Sequence, residues 1–186
     1  MTYLLNSSIV RWLILLSMSL LLMTCKREEP LPLYTQSGQN TLGCLINGKS
    51  YIPDGGGSWS GIKPVNGGLF AVRDAPYTIG IFIRTYAKDK QRIAIFLNDY
   101  KLGPHLLNST TPTMPASLDP KDYGLYESGS GETYVTSSKY TGVVTITKAD
   151  TVSGIVAGSF SFKAANSTGQ TVSISQGRFD VNARTQ

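Results

Sequence analysis

The sequence predicts a single all-β domain, an antiparallel two-sheet sandwich or flattened barrel, and three observations carry that prediction. The chain after residue 40 is rich in Thr, Ser, Gly, Val, Ile and Tyr, which suit half-buried pleated surfaces and the turns between them. Apolar residues recur there at every second position in several runs, and no long run repeats at helical spacing. Turn signals separate those runs, as they do in sandwiches and barrels. Residues 41–186 are the size of one ordinary domain, long enough to bury a core without added staples.

The chemistry upstream is different. Residues 12–24 carry no charge, and Arg11 just before them is the only charge of the leader. That stretch is shorter than the ~20 residues a helix needs to cross a bilayer core, and Lys26-Arg27-Glu28-Glu29-Pro30 closes it. The pattern reads as a signal peptide over residues 1–24. It ends in Leu22-Met23-Thr24-Cys25, which resembles the processing site of a bacterial lipoprotein, and this makes the Cys25 thiol the expected lipid attachment point. The alternative is an ordinary secretory signal that happens to end at a cysteine. Acyl chains contribute about 0.8 kcal/mol per buried methylene, so a multiply acylated Cys25 would hold the protein to a membrane. The cluster Lys26 to Glu29 resembles the export signal that sends many Bacteroidota lipoproteins to the outer face of the outer membrane; it reads equally as the solvated start of a tether. Residues 25–40, polar and interrupted by Pro30, Pro32 and Gly38, have linker chemistry. The expected location is the outer membrane, with the cell-surface and periplasmic faces both open.

The strands follow in order. Thr41 to Ile46 and Lys49 to Pro53 flank Asn47-Gly48, a pair that accepts the positive φ of a two-residue hairpin turn. Tyr77, Ile79, Ile81 and Ile83 alternate with Thr78, Gly80, Phe82 and Arg84. Ile93, Ile95 and Leu97 repeat that spacing beyond Lys88-Asp89-Lys90, which predicts an antiparallel pair. Phe82 and Phe96 have the opposite parity, so both strands are expected to be covered on both faces. Val144 and Ile146, then Phe160, Phe162 and Ala164, mark two further half-buried strands. Beyond the turn Asn166 to Gly169 the apolar positions are Val172 and Ile174, then Phe179 and Val181. That slip in parity predicts a glycine bulge at Gly177. Asp54 to Gly68, with its six glycines, and the proline-rich Asn108 to Asp122 read as long loops.

A lipobox, a Pro-containing tether, the stretch Asn40-Thr41-Leu42-Gly43-Cys44-Leu45-Ile46-Asn47-Gly48-Lys49 and the closing Gly158-Ser159-Phe160-Ser161-Phe162 and Gly177-Arg178-Phe179-Asp180-Val181 together resemble a family of uncharacterised Bacteroidota lipoproteins. The resemblance covers essentially the whole chain after the leader. It implies a lipid-anchored all-β domain and supplies no functional residues.

Candidate chemistry is sparse. His105 is the sole histidine, and no Gly-x-Ser-x-Gly elbow marks a nucleophile for it to serve, so no catalytic residue is assigned. Cys44 is the one thiol left once Cys25 is acylated, and its place in the first strand reads as packing. Asp119 and Asp122 are the closest pair of carboxylates that could help hold a calcium ion, but no metal-binding loop accompanies them, so neither metal nor cofactor is expected. The net charge of +5 falls to +4 once Arg11 is removed with the leader. The basic residues are scattered apart from Lys88-Asp89-Lys90-Gln91-Arg92, which argues against nucleic acid. Aromatic residues give the one candidate binding site: Trp59 in a glycine-rich loop, with Tyr123, Tyr126 and Tyr134 around Ser128-Gly129-Ser130-Gly131, could stack on sugar rings or simply close an end of the core. The expected function is therefore a lipid-anchored cell-envelope protein with a non-enzymatic binding or structural role and a glycan or protein ligand. One alternative is a surface accessory protein that captures glycan or another nutrient. The other is a carboxylate-based hydrolase, which for glycoside chemistry needs two carboxylates about 5–9 Å apart in a cleft.

Overall fold

The Asn47-Gly48 hairpin forms as the sequence predicts, with φ of 49° at Asn47 and 83° at Gly48. These values let strand β1 (Thr41–Ile46) turn directly into β2 (Lys49–Tyr51), with Ile46 opposite Lys49. The computed structural model describes residues 30–56, 61–72, 78–110 and 121–186, and all regular structure among them is strand. After β1 and β2 come β3 (Val65–Val72), β4 (Thr78–Thr85), β5 (Arg92–Leu97), β6 (Gly103–Leu107), β7 (Tyr123–Glu127) and β8 (Thr133–Val135). The series ends with β9 (Gly142–Asp150), β10 (Ile155–Ala165) and β11 (Thr171–Asn182).

All the pairings are antiparallel, and they join the strands into one open eleven-stranded sheet in the order β2-β1-β11-β10-β8-β7-β5-β4-β3. Strand β10 is the branch point. Residues Ile155 to Phe162 pair with β9, which carries β6 on its far side, while Ala165 alone reaches Val135 of β8. The expected sandwich is thus one continuous sheet curled over its own core, with two halves that share a single bridge at the β10–β8 corner. Ile81, Ile83, Ile93, Ile95 and Leu97 from one half and Val144, Ile146, Phe160, Phe162, Ile174, Phe179 and Val181 from the other are all buried in the same cluster.

The parity argument for β4 and β5 holds. Ile83 stands opposite Ile95, and Phe82 opposite Phe96. On the outward face Phe96 stacks on Tyr123 at 5.6 Å and meets Phe70 at 5.4 Å. The expected loop from Asp54 to Gly68 is corrected at its end, because residues 65–68 belong to β3. Gly67 and Gly68 misled because glycine is also the residue of close approach. With φ of 134° and 141°, they let β3 lie against Phe82 and the C-terminal Ala183, where a side chain on Gly67 would run into the Phe82 carbonyl oxygen.

The bulge in β11 is present but one step earlier than the glycine suggested. Phe160 faces Gly177 and Phe162 faces Ile174, so the extra residue falls at Ser175 and Gln176, and it is Gln176 that takes φ of 51°. Gly177 serves packing instead. A Cβ there would sit 2.6 Å from the Phe160 ring, so the missing side chain is what lets that ring lie across β11.

Beneath the β4–β5 hairpin, the Thr85 hydroxyl is fully buried and joins three groups of two residues. It lies 2.8 Å from Tyr51 Oη, accepts from the Ile93 amide at 2.8 Å and points to the Ile93 carbonyl at 3.4 Å. Tyr51 Oη also donates to the Gln91 carbonyl at 3.2 Å, which ties β2 to the β4–β5 hairpin. Thr85→Val keeps the shape and leaves the Ile93 amide without its side-chain acceptor, a loss of about 1–3 kcal/mol. Urea denaturation should show a lower midpoint with an unchanged slope; an unchanged midpoint would mean that water reaches this pocket.

Residues 30–40, read from sequence as tether, have no regular secondary structure yet lie against the domain. Pro32 packs over Gly43, and the buried Asp180 carboxylate accepts from Thr35 Oγ1 at 2.7 Å and from the amides of Ser37, Gly38 and Gln39 at 3.0, 2.7 and 3.3 Å. Arg178 donates to the Pro32 carbonyl at 3.0 Å and lies 4.4 Å from the Tyr34 ring centroid, while Lys148 Nζ donates to the Gln36 carbonyl at 2.9 Å. This strap crosses β11 and β9 on the outward face of the half that β9, β10 and β11 build.

Candidate functional site

The three tyrosines expected to form a platform lie on strands and divide between two faces. Tyr123 points outward and is buried against Phe96. Tyr126 points into the core, and its hydroxyl donates to Gln91 Oε1 at 2.8 Å. Tyr134 faces Tyr126 across the β7–β8 hairpin at 5.7 Å, and its hydroxyl donates to Glu132 Oε2 at 2.9 Å. The structure therefore brings Tyr126 and Tyr134 together and sets Tyr123 apart from them. Trp59, Cys25 and Asp119 lie outside the described residues.

His105 lies on β6, with its ring nearly enclosed. Its Nε2 is 2.7 Å from the Lys101 carbonyl, an oxygen that only accepts, so Nε2 carries the proton. Nδ1 then faces Asp99 Oδ1 at 3.5 Å and Asp122 Oδ2 at 4.0 Å. Burial raises the Asp122 carboxyl above its ordinary value, against the Asn98 amide that it accepts from at 2.7 Å. The ring is thus held at Nε2, with two aspartates beside Nδ1, which places the carboxylates from the ends of β5 and β7 against β6. Among the described residues no group of three or more His, Cys, Asp or Glu side chains could hold a metal ion.

Cys44 is wholly buried, and desolvation pushes its thiol up to about 12. A thiol that stays protonated is a poor nucleophile. Maleimide should label Cys44 only after denaturant is added; fast labelling of the native protein would place the thiol at an open site instead. The basic residues at the hairpin tip meet carboxylates of neighbouring segments: Lys88 lies 3.2 Å from Asp54, just beyond β2, and Arg92 3.2 Å from Glu127 of β7.

The feature that sequence reasoning missed is a shallow, open trough of about 310 Å³ on the outward face of β9, β10 and β11. Thr141, Val143, Ser161, Lys163, Ser173 and Ser175 line it, over Gly142, Phe162 and Ile174. Alternation builds it: Phe162 and Ile174 point inward to the core, so their neighbours Ser161, Lys163, Ser173 and Ser175 project outward. Where the strap crosses Asp180 and Arg178 this same face is covered, and the trough is the adjacent part that the strap leaves open. Its volume is at the low end of the about 300–1,000 Å³ typical of small-molecule sites.

A family model described as a domain of unknown function, DUF6252, matches residues 65–181, more than half of the chain. The chain belongs to the DUF6252 family. No curated protein and no solved structure matches it. The DUF6252 match runs from the first residue of β3 to Val181 and includes every residue of the trough, His105 and Asp180, while the strap and the β1–β2 hairpin precede it. The Ser-Phe-Ser-Phe-Lys and Val-Ser-Ile-Ser alternations were the signal for the trough. They identify outward hydroxyls without showing that β10 and β11 set them side by side.

Proposed function

We propose that this DUF6252 protein is a lipid-anchored component of the cell envelope with a non-enzymatic binding role, the lipid on Cys25 and the binding surface on the outward face of β9–β11. The observation that carries this reading is the trough itself: an open, hydroxyl-lined surface beside the docked strap. Anchoring is supported by the uncharged run before Cys25 and by the charged residues just after it. An outer-membrane location is part of the same reading.

Two measurements test it. Cys25→Ser should abolish incorporation of radiolabelled palmitate and release the chain from the membrane fraction; retention of both would defeat the anchor. Protease shaving of intact cells then compares the natural protein with a variant whose Lys26, Arg27, Glu28 and Glu29 are alanine. Clipping of the first and protection of the second identify the cluster as an export signal and favour capture of ligand outside the cell. Protection of both, with digestion after lysis, places the domain in the periplasm and favours an envelope-structural role.

A further inference from the structure

The lining of the trough has a definite charge and hydrogen-bonding character. Three serine hydroxyls, those of Ser161, Ser173 and Ser175, have no protein hydrogen-bond partner among the described residues. None of the residues that line it is acidic. At the Thr141 end, Lys163 Nζ and Lys139 Nζ converge on one ring, 5.8 and 5.1 Å from the centroid of Tyr140. Lys88, Arg92 and Lys101 each have a carboxylate within 4.0 Å, but among the described residues neither Lys139 nor Lys163 does. Among those residues the ring is their only charge partner, and an exposed cation–π contact contributes only about 0.5–1 kcal/mol to each. An anionic group at this end of the trough would supply the partner that both ammonium groups lack.

We propose that the trough binds an acidic saccharide, a sugar that carries a carboxylate or sulfate. The acid group docks at Lys139 and Lys163, and the ring hydroxyls exchange hydrogen bonds with Ser161, Ser173 and Ser175. Tyr140 borders the acid end with an apolar ring surface. A neutral sugar satisfies the serines and leaves the lysines unpaired. An inorganic anion satisfies the lysines and leaves the serines to water. Only a ligand with both characters matches the whole surface. The inference rests on the binding reading above and names the ligand class for it.

Isothermal titration of the full chain in detergent against trigalacturonate and against neutral galactotriose tests this directly. The expected result is binding of trigalacturonate that weakens at least tenfold for Lys163→Gln, recovers for Lys163→Arg, is lost for Ser161→Leu and weakens with added salt. All variants should keep the native melting temperature, because both positions face solvent. Equal affinity for the two sugars, with both lost for Ser161→Leu, overturns the acidic class while the trough remains a binding surface. No binding of either sugar by the folded natural chain, or binding indifferent to all three substitutions, overturns the site.

Discussion

Asp180→Ala is expected to release the strap and to lower stability by about 2–4 kcal/mol, because a buried carboxylate that accepts from charged-type hydrogen bonds is lost at one stroke. The carboxylate is 1 % exposed and takes one hydroxyl and three amides from residues 35–39. Leu33 and Tyr34 beside it remain 82 % and 66 % exposed, so little apolar burial holds the segment once those bonds go. The freed amides return to water, which caps the loss at what docking adds. Hydrogen exchange should accelerate at Ser37, Gly38 and Gln39 while the amides of β10 and β11 stay protected; continued protection at residues 37–39 would show that Arg178 and Lys148 hold the strap unaided. The pH dependence has a definite sign. Burial pushes the Asp180 carboxyl up, but its hydrogen bonds outweigh that and hold it below the ordinary value. A depressed folded value means that the stabilisation is present above the unfolded carboxylate range near pH ~4 and is lost as pH falls through the folded value. Acidification below pH ~4 should therefore loosen the strap of the natural chain and leave the alanine variant unchanged in that respect.

Phe160→Ala is expected to cost about 3–5 kcal/mol, a large share of the ~5–15 kcal/mol that stabilises an ordinary domain. The ring is 3 % exposed, lies 6.3 Å from both Phe162 and Phe179, and covers the spot where Gly177 lacks a side chain. Removing it leaves a void that Gly177 cannot fill and that the bulge beside it prevents β11 from closing. Urea denaturation should show a midpoint shift larger than that of Thr85→Val. A loss below about 1.5 kcal/mol would mean that Phe162 and Phe179 collapse into the space.

Much of the fold was legible because a two-residue period reports which side of a strand is buried, and Asn47-Gly48 reports its turn by backbone conformation alone. Strand β3 was not legible: its glycines at 67 and 68 look like loop residues, and only the neighbouring Phe82 carbonyl shows why a side chain is excluded there. The single-sheet connectivity was equally hidden, since the branch at β10 depends on which neighbour Ala165 meets. The tyrosines were misleading for a related reason. Tyr123 and Tyr126 are three apart, a spacing that on a strand sends them to opposite faces, and their assignment to strand β7 was the missing step. The trough needs three strands in register, which composition cannot supply.

Docking of residues 30–40 also sets how far a tethered domain can roam. With a lipid on Cys25, six residues would separate the anchor from Pro32, which packs on Gly43, for a contour of about 25 Å. Undocked, sixteen residues to Thr41 would allow about 55 Å. Because search volume grows as the cube of radius, the seated strap of a chain so anchored would raise the domain's effective concentration near its own patch of bilayer about tenfold. In such a chain, how near the domain stays to the membrane would rest on one aspartate of the last strand.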